Sequence, residues 1–449
     1  MKRRRLSRDI AGIFGTRAAW SFLGLLGGVI LARKLGPYDR GILSLVLLLP
    51  ETAVTFVKLG ITQANVYFIN REGRSSIDVA SNSTALALVL GTVVAGTMWL
   101  FRSDLFVSVL RGVPTWALAL ALVRVPLILL DGYLYGVLQA VGRFDIYNTR
   151  LLFSEVLRVA AIAVCLLLLH MGLFAAVVIH TVVTLINIAW LVVTMRRSIP
   201  FTVRLNRGLL RQQLVFGLKS YAQTVTQHGL LRADVYMISY YLNPAETGFY
   251  SLALRFTELI LEIPQAVGLV LYPRLALATK DEIHKLTAQA CRRTLLIAGL
   301  CAVVLAVLGP YVIVLWYGRA YAPAGAPLPW AAVGVVAMSV FTILTRDFTS
   351  RNLQRVNIAA GVPALLMNLG LNVFMIPALG IVGASMATAI SYCAACAVLL
   401  AFFLPTAKLS LFDVLIVKRE DIDYFWNLAR QGAQHAQRQL GLGSAKVGR

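Results

Sequence analysis

The chain has 449 residues, of which 59% are hydrophobic and 14% charged, with a formal net charge of +22 and a mean hydropathy of +0.76. Soluble chains are about a quarter charged, so a soluble enzyme or binding domain is excluded. Continuous apolar runs of about 20 residues, each enough to cross about 30 Å of hydrocarbon as a helix, favour helices over the alternating strands of a membrane barrel.

The N-terminal MKRRRLSRD precedes an apolar run with no small-x-small cleavage site, which reads as an uncleaved first helix rather than a signal peptide. Twelve helices are predicted, over residues 10–33, 41–66, 79–101, 115–138, 148–169, 172–195, 212–242, 247–272, 294–317, 328–348, 356–376 and 381–404. The N-terminus, the even-numbered loops and the tail hold most of the 42 lysines and arginines. By the positive-inside rule both termini are then cytoplasmic, and the basic excess reports orientation rather than nucleic-acid binding. The longest basic loop, residues 197–211, joins two halves: an N-terminal six-helix lobe over 1–196 and a C-terminal six-helix lobe over 212–404. Residues 405–449 form a tail that mixes apolar and charged side chains, with Phe425 and Trp426 beside Arg430. It reads as an amphipathic helix on the cytoplasmic face, with residues 441–449 disordered.

A duplication supports the two halves. Leu35 to Glu51 (LGPYDRGILSLVLLLPE) and Leu242 to Glu258 (LNPAETGFYSLALRFTE) align without a gap, pairing Pro37 with Pro244, Gly41 with Gly248 and Glu51 with Glu258. An even number of helices per half makes this a parallel repeat, with the ligand site expected between the lobes near the midplane. The fold class is therefore all-α integral membrane, with twelve transmembrane helices in two pseudo-symmetric six-helix lobes around a central cavity.

Ionisable side chains at mid-bilayer cost about 2.5–3.5 kcal/mol each on insertion scales and so face protein or water. The second helix carries Glu51 and Lys58, and the fourth Arg124 and Asp131. Each pair is seven residues apart and expected on one face. Arg255, Glu258 and Glu262 share a face of the eighth helix. On the seventh, which also carries Lys219, Gln223, Gln227 and Asp234 line one stripe, and Tyr221, His228 and Arg232 another. Arg255 with Glu258, Glu155 with Arg158, and Arg346 with Asp347 can neutralise each other locally. Arg17, Arg124 and Arg232 have no acid one turn away and need a partner on another helix, water or an anionic ligand. Guanidinium groups in a wet cavity suit phosphate, because their donors form a fixed fork. Acids on the same helices can release the anion by taking over the arginines in a second conformation. Pro50, Pro126 and Pro264 provide bend points within their helices. Cys393-x-x-Cys396 sits in a membrane helix and reads as small packing residues. No metal or nucleotide motif is present, and H+ or Na+ coupling is left open.

The stretches LARKLGPYDRGILSL (Leu31 to Leu45) and FGLKSYAQTVTQHGLLRADVYMISYYLNPAETGFYSLALRF (Phe216 to Phe256) resemble the oligosaccharide flippases of the multidrug/oligosaccharidyl-lipid/polysaccharide exporter superfamily. The resemblance implies a two-lobed bundle working by alternating access. It also implies a cargo of undecaprenyl-diphosphate-linked sugar units, moved across a bacterial inner membrane for polysaccharide biosynthesis. On this reading Arg17, Arg124 and Arg232 bind the diphosphate or acidic sugars, with Lys58, Lys219 and Arg255 second. Glu51, Asp131, Asp234, Glu258 and Glu262 are counter-charges or coupling groups. Three alternatives stand beside it: a cation-coupled multidrug exporter, whose cavity wants acids and aromatics; a membrane ligase or polymerase, which needs a larger extracytoplasmic loop than residues 102–114 or 318–327; and a scaffold that binds polysaccharide-assembly proteins through its tail.

Overall fold

In a computed structural model the backbone is described for residues 2–277, 279–424, 426 and 430. Side chains are described from residue 19 onward except 144, 219, 220, 269, 270, 272–274, 276–278, 280, 281, 425, 427–429 and 431–449. Among the described residues every regular element is helical: α1 (Lys2–Val57), α2 (Ile61–Asn70), α3 (Ser76–Leu100), α4 (Arg102–Val107), α5 (Thr115–Ala140), α6 (Phe144–Ile162), α7 (Leu173–Ser198), α8 (Arg207–Tyr241), α9 (Pro244–Leu277), α10 (Lys280–Tyr317), α11 (Leu328–Ser350), α12 (Gln354–Ala407) and α13 (Leu411–Leu415). A π-helical turn (Ala163–Leu168) prolongs α6, and a 3-10 turn (Arg319–Gly325) precedes α11.

Eight helical stretches among the described residues are long and apolar enough to cross a membrane. Two of them, in α1 and α12, are each a pair of crossings folded at a glycine. Gly36 (φ 75°) and Gly380 (φ 62°) hold the left-handed backbone that lets the chain reverse. That makes ten; α8 and α9, whose charged residues thin their hydropathy, complete the twelve. The chain is a multi-pass membrane protein. Its N-terminus, connector and tail lie at one end of the bundle, and the turns at Gly36 and Asn243 at the other, here called the connector end and the hairpin end.

Three elements differ from the sequence reading. The predicted helix 41–66 breaks at residues 58–60, where Leu59 (φ 49°) and Gly60 (φ 68°) both adopt left-handed backbone. The break exposes the Thr55 carbonyl, and Tyr221 of α8 donates its hydroxyl to it. The ninth crossing begins fourteen residues earlier than predicted, at Lys280, behind a Thr279/Glu282 capping box that satisfies its first N–H groups. In the tail, α13 is five residues long and capped by Ser410 and Asp413, and residues 419–424 are helical again. Residues 431–449, including the segment read as disordered, lie outside the described residues.

The lobes meet along the repeat. Gly41 and Gly248, 207 residues apart, lie backbone to backbone: a Cβ on Gly41 would collide with the Pro244 carbonyl oxygen, and one on Gly248 with the Pro37 carbonyl oxygen. Nearby, Arg33 donates to the Leu315 and Trp316 carbonyls at 2.7 and 2.6 Å, and the Tyr321 hydroxyl to the Ala32 carbonyl at 3.0 Å. The hairpin end is therefore tied shut. Toward the connector end a second glycine crossing, Gly60 against Gly217, joins the break after α1 to α8. Buried amides reinforce it: Gln213 donates to Asn65 at 2.7 Å and accepts from Asn82.

Candidate functional site: a charged cavity between the lobes

Between the two crossings lies a cavity of about 350 Å³. Trp20, Ser21 and Glu51 face it from α1; α8, α9, α11 and α12 form the rest of the wall. The stripe of α8 that carries Tyr221, His228 and Arg232 faces α1. His228 Nε2 lies 3.0 Å from the Thr52 hydroxyl, which also accepts from Tyr236 at 2.9 Å. Helical periodicity thus aims Arg232 at the lobe interface. There it meets Glu258 of α9 at 2.6 Å. Arg255, one turn before Glu258, reaches the other oxygen of the same carboxylate at 3.2 Å. Each of these three side chains is 29–30% exposed, so the cluster is wet.

One carboxylate therefore bridges two guanidinium groups. Arg255 also stacks over the Trp20 ring at 5.7 Å, a cation–π contact that fixes its plane. Glu51 opens onto the cavity within electrostatic reach of Arg232, Arg124, Glu258 and Arg158. Glu262 lines the same wall one turn beyond Glu258.

The other predicted site residues are placed elsewhere. Arg124 is 7% exposed inside the N-terminal lobe; among the described residues its Nε and Nη1 have no hydrogen-bond partner, and Glu51 and Arg158 are its charged neighbours. Lys58 and Asp131 belong to a separate cluster: Asp131 pairs with Arg150, and the Lys58 ammonium packs against Gly132. Asp234 is 1% exposed, held by the Tyr250 hydroxyl, the Val235 N–H at 2.9 Å and the Thr388 hydroxyl at 3.2 Å. Behind Thr388 the amides of Asn368 and Asn372 continue the polar chain. The side chains of Arg17 and Lys219 lie outside the described residues. Of the local pairs, Glu155 with Arg158 forms at 2.7 Å, whereas Asp347 turns from Arg346 to Arg351 and Thr287.

The expected pocket of lone arginines is thereby corrected. Arg232 is paired across helices, and the described cavity wall carries Arg232 and Arg255 with Glu51, Glu258 and Glu262. Trp20, Tyr250 and Tyr392 also line it. Sequence reasoning missed these three rings, because an aromatic residue in an apolar helix signals only packing.

Comparison with known proteins places this architecture. Residues 10–278 match the family described as Polysaccharide biosynthesis protein. The chain belongs to that family. Over 163 residues it is 27% identical to the probable low-salt glycan biosynthesis flippase Agl15 of Haloferax volcanii, a match covering 35% of this chain and 34% of Agl15. The chain thus spans about a third of that relative's length in the match. Two solved structures share its fold. The lipid II flippase MurJ in an inward closed conformation superposes with a TM-score of 0.73 at 13% identity, covering 89% of each chain. An inward-facing multidrug resistance MATE family transporter of the MOP superfamily gives 0.71 at 16% identity, covering 87% of this chain and 94% of its own. The fold is the two-lobed, twelve-helix one of these transporters, and the relatives are named as flippases and transporters.

Proposed function

We propose that this member of the polysaccharide biosynthesis family translocates a lipid-linked oligosaccharide, carried on undecaprenyl diphosphate, by alternating access of its two lobes. The observation that carries the reading is the Glu258 carboxylate shared by Arg232 and Arg255 inside the inter-lobe cavity. Two guanidinium groups converge there on one planar, bidentate anion, the geometry a phosphate oxygen pair also satisfies. Glu258 occupies the position of the cargo's anion. Diphosphate entry displaces the carboxylate from the fork, and its return expels the anion on the far side. Asp234, buried against Tyr250 and Thr388 on the same helix as Arg232, is the proposed coupling group for H+ or Na+. The proposed setting is a bacterial inner membrane with the connector end and both termini cytoplasmic, so cargo enters from the connector end. The tail offers a contact for polysaccharide-assembly proteins.

A second reading has its own support. Three glutamates with Trp20, Tyr250 and Tyr392 form a wall that suits an organic cation, as in a cation-coupled multidrug exporter. The experiment that separates the two is polymer export beside drug susceptibility in a deletion strain. The flippase reading expects Arg232→Ala to abolish export at unchanged protein level, without altering drug tolerance. Full export by that variant, or drug sensitivity on deletion with polymer intact, reverses the preference.

A further inference from the structure

Next to the charged cavity, on its connector side, lies a second chamber of about 350 Å³ between α8, α9 and α11. The two share Leu231, Leu261 and Gln265 in their walls, so they are adjoining compartments of one space. Their chemistry differs. Gln223 and Gln227, one turn apart on α8, face the chamber together with Gln265 of α9. Among the described residues none of these three carboxamides makes a hydrogen bond. Opposite them, α11 presents Thr342, Thr345 and Thr349. Their hydroxyls donate to backbone carbonyls of their own helix at 2.8, 2.8 and 2.6 Å; Thr349 also accepts from Asn357 at 3.0 Å, so Thr342 and Thr345 keep the most acceptor capacity for a ligand. Arg346 is the one charged residue among the described lining.

Water can satisfy these amides and hydroxyls while the chamber is empty, Gln227 and Gln265 being exposed, so whatever displaces it must offer comparable donors and acceptors. Acyl chains cannot do so. An organic cation would find no carboxylate in the described lining, and an anion finds one guanidinium here, Arg346, against the converging pair Arg232 and Arg255 next door. A polyhydroxylated ligand matches the neutral groups: its hydroxyls donate to the threonine and carboxamide oxygens and accept from the carboxamide N–H groups. Leu231, Leu261 and Met338 give apolar surface for the C–H faces of sugar rings, and the volume falls in the roughly 300–1,000 Å³ range of small-molecule sites. We propose that this chamber is the glycan subsite, holding the first sugars of the cargo by neutral hydrogen bonds while Arg232 and Arg255 hold its diphosphate. This rests on the flippase reading and adds to it the residues that recognise sugar.

The test measures binding of the purified full-length protein in detergent to two probes: undecaprenyl diphosphate, and the same lipid carrying a neutral N-acetylhexosaminyl disaccharide. Wild type is expected to bind the glycosylated probe at least about tenfold more tightly, the weight of one or two net hydrogen bonds. The Gln223→Leu/Gln227→Leu variant should bring the two probes to parity while holding the bare lipid within about twofold, which also shows that it folds; Gln227→Ala alone should narrow the gap. Arg232→Ala should weaken both probes together. Equal binding of the two probes by wild type, or a gap that survives in the double variant, overturns the glycan subsite and leaves the flippase reading standing. Failure of wild type to bind either probe overturns both.

Discussion

Glu258→Gln removes the charge that occupies the guanidinium fork and keeps the shape of the side chain. In the structure Arg232 and Arg255 reach the two Glu258 oxygens at 2.6 and 3.2 Å, with side chains about 30% exposed. Hydrogen bonds to charged groups are worth about 1.5–3 kcal/mol each, and partial exposure places this pair at the low end. A diphosphate that no longer competes with the carboxylate should bind tighter by about 1.5–3 kcal/mol, one to two such bonds at the low end, or roughly 10- to 150-fold. The same substitution leaves two cations facing each other without ligand, so the apo protein should melt at a lower temperature and recover on adding undecaprenyl diphosphate. Translocation should slow, because nothing returns to the fork to expel the anion. Binding by thermal shift and by titration in detergent reads both effects. Unchanged or weaker binding of the lipid by Glu258→Gln would refute competition between carboxylate and cargo.

Further outcomes follow from the same geometry. Gly41→Ala places a methyl group against the Pro244 carbonyl; overpacking of this kind costs about 1–3 kcal/mol and should open the hairpin end, seen as a longer distance between spin labels at Asp39→Cys and Glu246→Cys. Gly60→Ala should leave that distance unchanged. Asp131→Ala strands the 3% exposed Arg150; loss of one partner of a buried pair costs about 3–5 kcal/mol, so its melting temperature should fall well below that of Asp145→Ala, whose pairing with Arg143 is solvent-exposed and screened. In the tail, burial pushes the Asp421 carboxyl up, but hydrogen bonds from Arg292, the Lys418 N–H and Arg293 outweigh it and hold it below its ordinary 3.8. A depressed carboxyl stabilises the docked tail above that value and loses the contribution as pH falls through the lower, folded-state one. Hydrogen-exchange protection over residues 410–424, taken relative to the intrinsic rate at each pH, should therefore be high at neutral pH and fall only in strong acid, whereas Asp421→Asn should show low protection at pH 7.

The twelve crossings were legible because apolar runs of membrane-spanning length leave few alternatives, and the halves because the repeat keeps its register over seventeen residues from Leu35 to Glu51. The structure adds why both copies need glycine: Gly41 and Gly248 are each other's contact. Lys58 shows where the reading stops. A spacing of seven puts it on the Glu51 face only if the helix continues, and α1 ends at Val57. No proline marks that break; it depends on α8 supplying Gly217 and Tyr221 from the other lobe. Asp234 does share the side of α8 that bears Gln223 and Gln227, but higher up, where Tyr250 and Thr388 close over it. The mate of Arg232 was equally hidden, since Glu258 lies on another helix and periodicity gives direction without distance.

Reconstitution in lipid vesicles tests the central proposal most directly, by following a fluorescent disaccharide-bearing undecaprenyl diphosphate as it becomes accessible in the opposite leaflet. The account predicts translocation faster than in protein-free vesicles and reduced to that background by Arg232→Ala. Wild-type vesicles that move the lipid no faster than protein-free ones, or Arg232→Ala vesicles as active as wild type, would contradict it.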